Sequence, residues 1–375
     1  MVAPVFEHIT AIIVVSMLFV SAVIAVPAIN YVNLLYVDQQ QLRNVALDVL
    51  NSMLLNIGSP SNWGADFDNI DKFGLALHGS SSFYVLDSEK VERLSSSNPS
   101  GYLNYENVST LLGLQNYGFN IRIMPLFNVT VDDMSQDNEL LFNVNVRFND
   151  ERPIPTASVT ATIFYVSGKK SDNFNFTTPS ENRTNEVGEC MISYTLPSDF
   201  IGYILVLKVT VADMATVTVP YIQGFSQTVA NASIIGDTVT VWIPEGEHPS
   251  ERVIHNVTVV TANDVWNYPN VGCGRLPEDK MTSGEGFAEW IQNFPGINYE
   301  DALFLIFNIW TQEDPGAKHF VLFATSPLLD VRSGLLQLKG QPSAQSSDGA
   351  VLKLSRSVEI AGMTYIFEIL IWKEV

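Results

Sequence analysis

The stretch Ile9–Ala28, ITAIIVVSMLFVSAVIAVPA, decides how the rest of the chain is read. Apart from Thr10, Ser16 and Ser21 it is apolar. About 20 helical residues at 1.5 Å each cover roughly the 30 Å of a bilayer's hydrocarbon core. A removable secretory signal would begin with basic residues and carry a shorter apolar run. Here no lysine or arginine precedes the stretch, and one acid, Glu7, stands at its lip. Ser21–Ala28, SAVIAVPA, does offer small residues for cleavage, so removal and retention both stay open.

The residues that follow favour retention. From Leu42 the apolar positions are Leu42, Val45, Ala46, Val49, Leu50, Met53, Leu54 and Ile57. That is the i, i+3, i+4, i+7 rhythm of one helical face. Gln40, Gln41, Arg43, Asn44, Asp48 and Asn51 fall on the other side, and Gly58 is a natural stop. Pro27 is tolerable inside a membrane helix, with a kink. The spacing predicts a near-continuous rod from about Ile9 to Ile57. Its first part is apolar all round and needs lipid or copies of itself; its second part has a core to cover.

Composition limits the partners. The 375 residues are 46% hydrophobic and 16% charged, which allows sizeable cores in two or three units. Forty acids against 20 bases give a net charge of −20, and this argues against nucleic acid. The acids are scattered, as on a solvated, self-repelling surface. The two cysteines, Cys190 and Cys273, are a candidate disulfide pair if that part of the chain is extracellular; spacing alone does not show that they meet. Six Asn-x-Ser/Thr sequons lie beyond the apolar stretch, at Asn107, Asn128, Asn175, Asn182, Asn231 and Asn256, and are candidate N-glycosylation sites.

The remaining chain divides in three. Residues 58–125 read as a small α/β cap, with SFYVLD (Ser82–Asp87) a strand and SEKVERLS (Ser88–Ser95) a short helix. NYENVSTLLGL (Asn104–Leu114) is a second helix, and YGFNIRIMPLFNVTV (Tyr117–Val131) one long outgoing strand. Ser88 and Asn104 are the expected N-caps. Residues 126–225 alternate with period two: Phe142, Val144, Val146 and Phe148 point one way, Asn143, Asn145 and Arg147 the other. Short strands between turns predict a β-sandwich. Residues 226–375 read as a second β-rich, sandwich-like unit, with EGFAEWIQNF (Glu285–Phe294) a candidate helix. The last strand is apolar enough to be central in a sheet or to augment a neighbouring subunit.

In order along the chain, the apolar-then-amphipathic rod is followed by NWG (Asn62–Gly64), FGLAL (Phe73–Leu77), YVLDSEKVERL (Tyr84–Leu94), YENVSTLLGL (Tyr105–Leu114) and YGFNIRI (Tyr117–Ile123). This layout, over about residues 1–125, resembles the pilin-like surface proteins of archaea, of the type IV pilin kind. The resemblance implies a leader that is removed, a helix that packs against sister helices, and a glutamate fifth in the mature chain. APVFE places Glu7 fifth if Ala3 is first. A carboxylate inside an apolar bundle is costly unless paired, and a neighbour's new α-amino group could pair with it. The other reading is an interfacial acid facing water. The sequence departs from the pattern in its leader: Met1 and Val2 carry no basic residue. Residues 126–225 resemble the immunoglobulin-like modules of microbial surface proteins.

Chemistry is hard to find. The five histidines, His8, His78, His248, His255 and His319, form no metal-ligand spacing. Asp66–Gly74, DFDNIDKFG, has Ile70 where a calcium loop needs oxygen. GSSSF (Gly79–Phe83) lacks the second glycine of a nucleophile elbow, and GEGFAEW lacks the lysine of a phosphate loop. Asp132 and Asp133 read as solvated loop acids. No cofactor, metal site or enzymatic activity is expected.

The expected architecture is therefore α+β and mostly β: a long N-terminal hydrophobic then amphipathic helix (1–57, transmembrane or assembly), a small α/β cap (58–125), an immunoglobulin-like sandwich (126–225) and a second sandwich-like domain (226–375). The expected function is a structural subunit of a pilus-like filament or membrane-anchored assembly at the archaeal cell surface. Glu7 and Pro27 are its candidate assembly residues, with copies of itself, membrane lipid and surface glycans or other cells as partners. A non-polymerising anchored glycan or solute binder is the alternative, and an anchored hydrolase a third.

Overall fold

A computed structural model describes the backbone of residues 3–65, 70–95, 102–167, 173–223, 228–235, 238–244, 252–261, 265–269, 282–284, 287–293, 302–311, 319–325, 336–339 and 351–373. Side chains are described for most of these up to residue 223, for a few between 257 and 306, and for 351–373; those of residues 3–9 and 22–38 are not.

The helix α1 spans Ala3–Leu55. It is followed by β1 (Val85–Leu86), α2 (Ser88–Glu92), α3 (Tyr105–Leu112) and β2 (Tyr117–Pro125). Then come β3 (Phe127–Asp133), β4 (Glu139–Phe148), β5 (Ser158–Ser167), β6 (Asn173–Phe176), β7 (Ser180–Arg183), β8 (Glu189–Thr195), β9 (Phe200–Val211) and β10 (Met214–Gln223). An outer group holds β11 (Thr228–Ile235), β12 (Thr238–Pro244), β13 (Arg252–Thr261), β14 (Val265–Pro269), β15 (Thr282–Gly284), β16 (Phe287–Asn293), β17 (Ala302–Thr311) and β18 (His319–Thr325). The chain closes with β19 (Leu336–Lys339), β20 (Val351–Ile360) and β21 (Met363–Lys373).

Four sheets result. The head sheet has the order β1-β20-β21-β2-β19. Its centre is the C-terminal hairpin: β21 pairs with β20 from Met363↔Ile360 to Trp372↔Val351, and with β2 through Ile121↔Ile369. The alternation of β21 explains its place. Met363, Tyr365, Phe367, Ile369 and Ile371 are all buried on one face. Leu42, Ala46, Val49, Leu50, Met53 and Leu54 of α1 are buried in the same cluster, with Phe119, Ile121 and Ile123 of β2. Each such side chain stabilises the fold by about 1.5–3 kcal/mol relative to exposure. At Gly118 of β2 a Cβ would stand 2.3 Å from the Trp372 ring, so only hydrogen fits there. Gly118→Ala is expected to cost about 1–3 kcal/mol by overpacking, read as a lower urea midpoint.

Two sheets, β3-β4-β8 and β10-β9-β5-β6 with β7 also on β5, form a sandwich. Phe142, Val144, Val146 and Ile192 of one sheet meet Val159, Ala161, Ile163, Tyr203, Leu205 and Leu207 of the other. The strand β9 buries both faces, since Ile204 and Val206 turn away from this core and join the head's apolar cluster. The outer group is a single eight-stranded sheet, β14-β13-β17-β18-β11-β12-β16-β15, with one parallel pair, β11 and β18.

These observations correct the expected architecture. The molecule is mostly β, and among the described residues no helix is long and apolar enough to cross a membrane. Nor do two sandwich-like domains follow a cap built from residues 58–125 alone. The last 23 described residues return to the head, where the apolar face of β21 is buried between β20 and β2. Smaller expectations shift too. YGFNIRIMPLFNVTV breaks at Leu126, sending β2 and β3 to different sheets, and SFYVLD keeps only two strand residues. EGFAEWIQNF holds the strand β16, whose Trp290 pairs with Val241. The cap of α2 is Asp87, one residue before the expected Ser88.

Candidate functional site

The described surface feature that stands apart is the segment Thr10–Ser21 of α1. Ile12, Val15, Met17, Leu18 and Phe19 are 64–71% exposed, and Ile13, Val14 and Val20 about half exposed. At 100° per residue these eight consecutive-turn positions surround the helix, leaving no polar stripe. Together they present on the order of 900 Å² of apolar surface, beyond the roughly 300–600 Å² of the largest patch on a typical monomer. Ser16 and Ser21 interrupt it little: the Ser21 hydroxyl donates to the Leu18 carbonyl of its own helix at 2.8 Å.

The other end of the same helix is clamped to the head. A helix leaves its last carbonyls without intrahelical donors. Here the Leu75 N–H donates to Met53 O at 2.8 Å and the Ala76 N–H to Asn56 O at 2.9 Å. The Lys90 ammonium donates to Ile57 O and to Ala76 O, both at 3.1 Å. A cation at this end also complements the helix dipole. Lys90 is fully buried, and its charge is matched by Asp87 Oδ2 at 3.2 Å. The other oxygen of Asp87 accepts the N–H groups of Glu89 and Lys90, which starts α2.

Beside this lies Trp63, fully buried, whose indole N–H donates to Gly74 O at 2.9 Å. Arg93 donates to the Trp63 carbonyl, and its guanidinium sits 5.5 Å from the ring centre. The turn is tight. Gly58 takes φ +76°, and a Cβ at Gly74 would meet Asn56 O at 2.4 Å. The short motifs NWG, FGLAL and YVLDSEKVERL are thereby explained as one joint. The roles of Lys90, Trp63 and Arg93 were not read from the sequence. The available signal was a lysine and an arginine set among Val91 and Leu94, where a solvated helix would show no buried face.

The expected site residues are placed as follows. Glu7 and Pro27 lie within α1, with side chains outside the described ones. Asn107 and Asn128 are exposed, Asn175 and Asn182 half-buried; the side chains of Asn231 and Asn256, in β11 and β13, are outside the described residues. Cys190 is a buried free thiol on β8, and Cys273 lies outside the described residues. Burial pushes the Cys190 thiol from 9.0 up to about 11. The thiolate is the disfavoured form in the fold, so this group's contribution is fully present below about pH 9 and lost as pH rises through about 11. At pH 8 a maleimide is expected to label Cys190 only at the rate of unfolding; rapid labelling of the native protein would contradict this burial.

Among the described residues no three His, Cys, Asp or Glu groups are placed to hold a metal. A polar pocket of about 590 Å³ beside the β20–β21 turn is lined by His78, Asp87, Glu89 and Glu359. Asp87 there is already engaged by Lys90 and two backbone N–H groups. Asp133 accepts the Ser135 N–H at 2.9 Å and closes a turn.

No family model and no curated protein matches the chain. Solved structures give faint likenesses. Trypsin-activated α2-macroglobulin from Escherichia coli is 10% identical over 62% of this chain and 19% of that one, with a TM-score of 0.21. MtrC from Shewanella baltica OS185 is 8% identical over 56% of this chain and 70% of that one, also at 0.21. Dimeric latent PorU from Porphyromonas gingivalis is 10% identical over 62% and 25%, at 0.19. The chain spans about a fifth of the α2-macroglobulin chain, and no likeness at this level carries a functional argument.

Proposed function

We propose that this chain is a structural subunit of a pilus-like surface filament, in the manner of the archaeal pilin-like proteins its first third resembles. Copies pack through the Thr10–Ser21 segment of α1, and the sandwich and outer sheet face outward. The observation that carries the reading is the contrast within one helix. From Leu42 to Leu54 one face is buried in the head, and carbonyls at that end are capped, whereas the described Thr10–Ser21 segment is apolar on every side and uncovered. A helix apolar all round needs partners, and identical helices supply matching surface by close packing.

The outward sheets are the part left to touch surface glycans or other cells. The net charge of −20 keeps such surfaces apart, so association is confined to the uncharged segment. The test is electron microscopy of the full chain as detergent is diluted away. Filaments of regular width are expected. Uptake of single copies into lipid vesicles with no filaments would favour the anchored binder instead.

A further inference from the structure

We propose that the β20–β21 hairpin is a late latch: a segment reached some 310 residues after α1 is the one that seats α1 on the head, so only chains extended through this hairpin present the assembly helix on a fixed mount. The functional consequence rests on the filament reading; the latch itself does not.

Three observations place the latch. The buried face of α1, Leu42 to Leu54, shares its cluster with Met363, Tyr365, Phe367, Ile369 and Ile371, some 310 residues later. The head sheet is also cut in two without the hairpin. The strand β1 has β20 as its one strand partner among the described residues, through Val85↔Glu359 and Leu86↔Ile360. The strands β2 and β19 would remain as a separate pair, joined through Ile123↔Leu336 and Ile121↔Leu338. Finally, the seat is shaped for its occupant, since Gly118 leaves room for the Trp372 indole against the β2 backbone.

The inserted region fits this order of events. Residues 126–335 leave from the end of β2 and return into β19, which pairs with β2 itself. The inner sandwich core between β4, β5 and β9 draws on none of the hairpin's residues, although Phe164, Ile204 and Val206 on the outer face of β5 and β9 share the hairpin's cluster. It can close while the head is still waiting. Until the hairpin arrives, the apolar positions of α1 from Leu42 to Leu54 lack their principal cover, and the clamp at Lys90 holds the helix at its end alone.

The test is hydrogen exchange on the full chain carrying a protease site in place of residues 343–348, between β19 and β20. In the intact protein, amides of β2 and of Leu42–Leu54 are expected to exchange slowly. After cleavage and mild denaturant have released residues 351–373, these amides should exchange about 100-fold faster, while β4, β5 and β9 stay protected. Adding back a peptide of residues 351–373 should restore protection. Gly118→Val in the uncleaved chain should shift the same amides in the same direction. Unchanged exchange at Leu42–Leu54 after release, or loss of the sandwich together with the head, would overturn the latch. A chain that shows the latch but forms no filaments would contradict the assembly reading alone.

Discussion

Phe19→Glu abolishes self-association while leaving the folded head intact. Phe19 is 71% exposed on α1 and distant in sequence from the helix positions buried in the head, Leu42 to Leu54. Covering its exposed ring against a sister helix contributes up to about 3 kcal/mol at roughly 25 cal/mol per Å². Losing that term alone weakens each contact about a hundredfold. The carboxylate adds a desolvation cost in an apolar seam and repels its own copies. The urea unfolding midpoint should match the parent within error, because no core residue is touched. Sedimentation of the detergent-free protein checks the first part. A variant that still assembles would show that the seam lies elsewhere.

The second large effect is at the joint. Lys90→Ala should lower stability by about 3–5 kcal/mol, the cost of breaking a buried charge pair by removing one member. Three acceptors lose their donor together: Ile57 O, Ala76 O and the Asp87 carboxylate. The first of these lies two residues past the end of α1, so the helix end should fray before the sandwich melts. Urea denaturation followed by both far-ultraviolet circular dichroism and exchange at Leu50–Leu54 would separate the two. Lys90→Arg does not restore the parent, because the planar fork of a guanidinium does not reproduce the point charge between two carbonyls. A loss below about 1 kcal/mol would mean that water replaces the ammonium.

Local patterns were legible where burial follows from neighbours in sequence. Leu42, Ala46, Val49, Leu50, Met53 and Leu54 announce their face through spacing alone, and they are the buried ones. Asn104 caps α3 by accepting the Asn107 N–H at 2.9 Å, as its type and place suggest. Phe142, Val144 and Val146 alternate with Asn143 and Asn145 because one face of β4 covers a core. What could not be read is pairing at a distance. Nothing near Ile121 says that its partner is Ile369, since any apolar strand of similar length offers the same hydrogen bonds.

The same limit explains the errors. Phe287–Asn293 has residues that suit a helix, yet its register against β12 holds it extended. Asp87 outcompetes Ser88 as a cap because its carboxylate also faces Lys90 three residues on; what needs the return to α1 is the burial of that lysine against Ile57 O and Ala76 O. The apolar stretch was read as long enough to span a bilayer from composition. The described side chains, Thr10–Ser21, form an exposed apolar segment, and among the described residues no helix is long and apolar enough to cross a membrane.

The most direct measurement places a nitroxide spin label at Leu18, 64% exposed in the middle of that segment, and records its spectrum as detergent is removed. Sister helices packed at the usual interaxial distance of about 8–10 Å would bring labels close enough for strong dipolar broadening. Broadening that vanishes on dilution with unlabelled protein is the expected result. A sharp, mobile spectrum from protein that sediments as single copies would contradict the account.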